Sequence, residues 1–84
     1  VAVEAIRKGI RVNAIAPGVT WTPRWEQQQA ELNINLRETV AKQVPNGRFA
    51  SPEEVANAIF WLSSEQSSYI VGHTLVMDGG LSLS

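Results

Sequence analysis

The sequence predicts an α/β fold in which two parallel strands are flanked by helices, and three observations carry that expectation. The apolar pattern changes period along the chain, giving helix, strand, helical crossover, helix and strand in that order. The strand-like run from Ile10 to Ala16 is apolar on both sides, with Ile10, Val12, Ala14 and Ala16 on one face and Ile15 beside Arg11 and Asn13 on the other. A strand covered on both faces suits a parallel sheet, and strands separated by helices are joined by a right-handed crossover. Turn residues mark both strand ends: Pro17-Gly18 stops the first and Asp78-Gly79-Gly80 the second.

The chain opens on Val-Ala-Val-Glu-Ala-Ile-Arg-Lys, rich in good helix formers. No capping residue and no initiator Met precede it, so it reads as the middle of a helix begun in a longer parent. Gly9 ends this helix, with Arg7 and Lys8 in its last turn, where the helix dipole favours cations. Past the strand, residues 19 to 24 form a loop carrying Thr20, Trp21, Thr22 and Pro23. Trp25 to Gln43 is helix-prone, with Leu32, Leu36 and Val40 at a spacing of four and Glu38 placed to pair with Lys42. Asn33 and Asn35 weaken its middle, which leaves one long helix and two short ones both open. Val44-Pro45-Asn46-Gly47 ends it.

Ser51-Pro52-Glu53-Glu54 combines an N-cap, proline at the first helical position and Glu at the third: a capping box. The helix behind it aligns Val55, Ala58, Ile59 and Leu62 and runs to about Ser63. Ser63 to Ser68 is a polar connection. Tyr69 to Met77, rich in β-branched and aromatic residues, reads as the second strand, and Leu81 to Ser84 as a short tail.

Composition narrows the function. At 84 residues the chain holds at most one small domain, and 44% hydrophobic with 18% charged residues is a globular balance. The net charge is −1 with scattered basic residues, which gives no footprint for nucleic acid or an anionic membrane. The longest apolar run, Ala58-Ile59-Phe60-Trp61-Leu62, is too short to span a bilayer, and no leader pattern opens the chain. With no cysteine, disulfides and thiolate chemistry are excluded. A cytoplasmic location is expected, with neither nucleic acid nor membrane as partner.

Ligands of open α/β sheets bind beyond the carboxyl ends of the strands, and Pro17-Gly18-Val19-Thr20-Trp21-Thr22 lies at such an end. Glycine there lets a flat ring approach the backbone, and the loop offers amides and hydroxyls. Spacing alone leaves an ordinary stop turn open as well. The wording of the whole chain adds to this. Gly-Ile-Arg-Val-Asn-Ala-Ile-Ala-Pro-Gly-Val (9 to 19), with Thr22 four residues after Gly18, resembles the sixth-strand motif of the short-chain dehydrogenase/reductase family. Gly47-Arg48-Phe49-Ala50-Ser51-Pro52-Glu53-Glu54-Val55-Ala56 is similar to the segment opening that family's next large helix. Phe60 to Ser64, Ser67 to Leu75 and Asp78-Gly79-Gly80 look like its final helix and strand. Only residues 23 to 46 are unspecific.

The resemblance implies the C-terminal portion of a Rossmann-type doubly wound parallel sheet, with residues 1–84 forming part of one NAD(P)-binding domain. It implies hydride transfer between a nicotinamide cofactor, NAD or NADP, and a small alcohol or carbonyl substrate. Carried over position by position, Pro17, Gly18 and Val19 line the nicotinamide, with the Val19 main chain on its carboxamide and the Thr22 hydroxyl bonding there too. Residues 23 to 46 match the variable substrate lid, which would turn Trp21 and Trp25 toward substrate. A buried structural role suits either tryptophan equally well. The family's last helix and strand also build subunit contacts, which points to a homo-oligomeric parent with Val76, Met77 and the outer face of residues 52 to 63 at the interface.

The departures are as informative. The family's glycine-rich phosphate loop and its catalytic Asn, Ser and Tyr-x-x-x-Lys belong upstream, and Tyr69 has no Lys at the fourth following position. No catalytic residue carries over, and the chain alone is expected to be inactive. A rival reading is a non-catalytic piece that docks onto related subunits. His73, the lone histidine, lacks the companions a metal site needs, so no metal is expected. Asp78 reads as turn chemistry, Ser51 as a cap, Glu53 and Glu54 as serving the helix N-terminus, Asn13 as a tie between backbones, and Arg11 as a solvated edge residue.

Overall fold

A computed structural model describes residues 1–83, and its elements follow the expected order. Helix α1 (Ala2–Arg7) ends at Gly9, whose φ of +83° suits glycine. The Gly9 N–H donates to the Ile6 carbonyl and the Ile10 N–H to that of Ala5, a Schellman closure that satisfies the last carbonyls. Strand β1 (Ala14–Pro17) pairs in parallel with β2 (Thr74–Met77), Ala14 opposite Thr74 and Pro17 opposite Met77. Between them lie α2 (Pro23–Leu32), α3 (Leu36–Ala41), α4 (Pro52–Ser63) and a 3-10 turn at Glu65–Ser67, and a second 3-10 turn, Leu81–Leu83, follows β2. The expected tail closes on Ser84, which lies outside the described residues.

Both strands are shorter than the sequence pattern suggests. Tyr69 to Val71 follow the 3-10 turn, and Gly72 adopts φ +71°, a left-handed conformation that interrupts an extended run. Residues 10 to 13 run beside this segment without joining the ladder. They are tied to it by Gly72 N–H to Val12 O and by Asn13, which donates to the Ile70 carbonyl and accepts from the His73 N–H. Asn13 therefore binds backbone to backbone, as expected.

Asparagine divides the middle helical stretch. Asn33 takes φ +52°, ending α2, and the Asn35 side chain caps α3 by accepting from the Glu38 N–H. The short polar side chain of Asn tolerates both positions. The two-helix alternative holds, and Lys42 pairs with Glu38 at 3.6 Å.

Arg11 departs from expectation. Its guanidinium is half-buried and donates to the carbonyls of Ser64, Ser67 and Ile70 at 2.9–3.2 Å, bridging the end of α4 to the approach of β1. Ser67, which the pattern did not single out, is 2% exposed and sends its hydroxyl to the Leu62 carbonyl at 2.8 Å. A fork of fixed donors suits this cluster of helix-end acceptors.

The core is small. Val44, Phe49 and Leu62 are the buried apolar residues among those described, while the outward Phe60 and Val76 stay 77% and 54% exposed. No helix among the described residues is long and apolar enough to cross a membrane.

Candidate functional site

After Pro17, the last ladder residue of β1, the chain enters the loop 18–22. The Gly18 N–H still donates to the Met77 carbonyl at 2.9 Å, so the loop starts pinned against the end of β2. A Cβ on Gly18 would stand 2.8 Å from both Cα and Cβ of Asp78. Glycine is thus required here by the neighbouring strand end, a reason the sequence did not disclose.

The rest of the loop is fixed by Ala50. Its N–H donates to Val19 O and its carbonyl accepts from Trp21 N–H, each at 3.0 Å, with Thr20 opposite it in an isolated parallel bridge. The Val19 carbonyl is engaged, while the Val19 N–H finds no acceptor among the described residues. Thr22 occupies the N-cap of α2 with extended φ −128° and ψ 166°, yet its hydroxyl makes no capping hydrogen bond. Pro23 follows at the first helical position, where its missing N–H is tolerated. The loop thus carries an N–H donor at Val19 and a half-buried hydroxyl at Thr22, complementary to a carboxamide, which offers one acceptor oxygen and an NH2 donor.

Trp21 and Trp25 come together. Their rings stack with centroids 6.5 Å apart, and each meets Phe49 edge-on, at 5.0 and 5.1 Å. These geometries suit the ring quadrupoles, and Phe49 itself is 5% exposed. The pair packs the loop and the start of α2 onto the segment before α4. Arg37 of α3 lies over the Trp21 ring at 4.9 Å, a cation–π contact with no signal in the sequence. A groove of about 710 Å³ runs past Trp21, Arg37 and Phe49 toward the head of α4.

That head is strongly fixed. Ser51 accepts from the Glu54 N–H, and the Glu54 carboxylate accepts from the Ser51 N–H at 2.9 Å. Arg48 grips the same carboxylate through both terminal nitrogens, at 2.7 and 3.0 Å. The Arg48 hydrogen bonds, followed by the Ser51 backbone, hold the Glu54 carboxyl down at about 2. Asp78 is a turn residue, as expected: its oxygens accept from the Gly80 and Ser82 N–H groups at 3.0 and 2.9 Å, and its pKa is lowered chiefly by Ser82.

Known proteins share this arrangement. The family model described as enoyl-(acyl carrier protein) reductase matches residues 1–82. The chain is 46% identical over 80 residues to a 3-oxoacyl-[acyl-carrier-protein] reductase of Thermotoga maritima, covering 95% of this chain and 31% of that protein. Against cis-4-hydroxycyclohexanecarboxylate dehydrogenase of Sinomonas cyclohexanicum the identity is 48% over 79 residues, covering 94% and 30%. Among solved structures, L-sorbose reductase of Gluconobacter frateurii, complexed with NADPH and L-sorbose, superposes with a TM-score of 0.90 at 40% identity. That match covers 99% of this chain and 35% of the reductase. The chain therefore spans about a third of the length of the proteins it matches.

Proposed function

The chain belongs to the short-chain dehydrogenase/reductase family, and on that premise we propose that residues 1–84 form the C-terminal part of a single Rossmann-type NAD(P)-binding domain. The protein it serves passes a hydride between NAD or NADP and a small alcohol or carbonyl compound. The NADPH named with the sorbose reductase supports a nicotinamide cofactor of this kind. Within that enzyme this chain orients rather than reacts. Pro17 and Gly18 back the nicotinamide, the Val19 N–H and the Thr22 hydroxyl hold its carboxamide, and residues 23–46 form the substrate lid.

The observation that carries this reading is the pair of free polar groups at the carboxyl end of β1. A threonine at an N-cap ordinarily bonds the helix it begins. Thr22 does not, and the Val19 N–H of the same loop also finds no acceptor among the described residues. When bound, the dinucleotide supplies or accepts the hydride; the loop fixes the plane of its ring. Trp21 and Trp25 would then border the substrate with whatever face Phe49 leaves them.

The outer face of α4, with Phe60, and β2, with Val76, are exposed apolar surfaces suited to a subunit contact. We place the homo-oligomer interface of the full-length protein there. The reading is tested by incubating that protein with NADH or NADPH and a panel of ketones and aldehydes while following the reduced nicotinamide. Dinucleotide-dependent reduction is expected. Failure with every carbonyl, in a protein that is folded, would remove it.

A further inference from the structure

Asp78 does more than close a turn. Its two carboxylate oxygens set the path of the backbone from 78 to 82, and that short path touches two separate parts of the site. On one side Gly18 lies against Asp78 so closely that a Cβ would come within 2.8 Å of its Cα. On the other, the Gly79 carbonyl accepts from the Asn46 N–H at 2.9 Å. Cβ atoms on Gly79 and Gly80 would lie 2.7 Å from a Val44 methyl and 3.2 Å from Pro45. Both glycines also hold positive φ, +63° and +93°, which glycine adopts without strain.

The contacts form a closed circuit. Loop 18–21 is bonded to Ala50, residues 44–46 rest on Gly79, and Asp78 meets Gly18 again. The segment 44–50 is where the proposed lid ends, and 18–21 is the proposed nicotinamide loop. The turn that the Asp78 carboxylate holds thus touches both segments.

We propose that Asp78 is a positioning residue: by holding the 78–82 turn it sets the seat of the nicotinamide loop and the end of the lid relative to each other. This rests on the cofactor reading above. Hydride transfer depends steeply on the alignment of ring and carbonyl, whereas most of the grip on a dinucleotide comes from its phosphates. A slackened turn should therefore lower turnover far more than cofactor affinity.

The test uses the full-length protein with Asp78→Ala, Asp78→Asn and Thr22→Val, measuring kcat, the dinucleotide Kd and the melting temperature without cofactor. Asp78→Ala should lower kcat about ten- to hundred-fold while Kd changes only a few-fold. Asp78→Asn keeps an oxygen for the Gly80 N–H but puts an amide before that of Ser82, so it should lose less and restore part of the rate. If alanine prevents folding, the asparagine variant decides. A lowered melting temperature with full kcat in the folded variants would overturn the positioning role. Should that occur while Thr22→Val weakens binding, the cofactor reading stands and only Asp78 is lost. If Thr22→Val leaves Kd unchanged, the loop assignment fails and takes this proposal with it.

Discussion

At the start of α2, Thr22 keeps its hydroxyl off the helix while Pro23 supplies a first residue that needs no acceptor. Thr22→Val preserves that shape and deletes a single polar group. A hydrogen bond of this kind contributes about 0.5–1.5 kcal/mol, so dinucleotide affinity of the full-length protein should fall roughly two- to twelve-fold. The melting temperature without cofactor should hardly move, since the hydroxyl bonds nothing among the described residues. A stability loss with unchanged Kd would instead make Thr22 a turn residue. The sequence pointed to Thr22 because the resemblance of residues 9–19 to the family motif carries a threonine four residues after Gly18. For Gly18 it offered only room for a flat ring, since the atoms that would crowd a side chain belong to Asp78, far along the chain. Arg11 was misplaced for the same reason: its acceptors lie more than fifty positions away, and a basic residue in a strand pattern looks solvated. Arg11→Met keeps the apolar stem but abandons those carbonyls, and should cost the full-length protein about 1–3 kcal/mol by denaturant titration. A change within the scatter of surface substitutions would return Arg11 to the solvated edge.

Elements built from local signals came through with their boundaries nearly intact. The capping box at Ser51 starts α4 where the sequence put it, and Asn33 and Asn35 resolve the middle stretch into two helices. The strands did not, because a parallel ladder is defined by its partner. Once Gly72 bends away, residues 69–71 leave the ladder, and side chains of Arg11 and Asn13 rather than strand pairing hold the Ile70 carbonyl, whatever the segment's propensity. The head of α4 also gives a pH signature. The Glu54 carboxyl titrates near 2 in the folded chain against an ordinary 4.5. A folded pKa below the unfolded one stabilises the fold above about 4.5, and that contribution drains away as pH falls from 4.5 toward 2. Glu54→Gln should therefore be less stable at neutral pH and lose less on acidification through that window. Melting curves of both proteins across it provide the check; parallel pH dependence would mean that the Arg48 clasp contributes nothing.

For the molecule as a whole, shape and surface agree. The radius of gyration is 16.2 Å with a longest extent of 52 Å, whereas a compact chain of this length would have about 12 Å. Among the described residues three buried apolar side chains make a core that barely holds the elements together, and Ile10, Ile59, Phe60, Val76 and Leu83 are all at least half exposed. The far edge of β1 meets no strand among the described residues. These surfaces match the family assignment and the chain's coverage of about a third of its relatives. In isolation it should associate or melt without a cooperative transition, and a monodisperse monomer with a sharp thermal transition would show that the core is better than this. The most direct measurement of the central claim is a paired titration with NADH and NADPH, followed through the fluorescence of Trp21 and Trp25. The full-length protein should bind at least one of them saturably. The isolated 84 residues should bind neither, because they contain the proposed nicotinamide-orienting groups but no glycine-rich phosphate loop. Saturable micromolar binding by the isolated chain, or none by the full-length protein, would contradict the account.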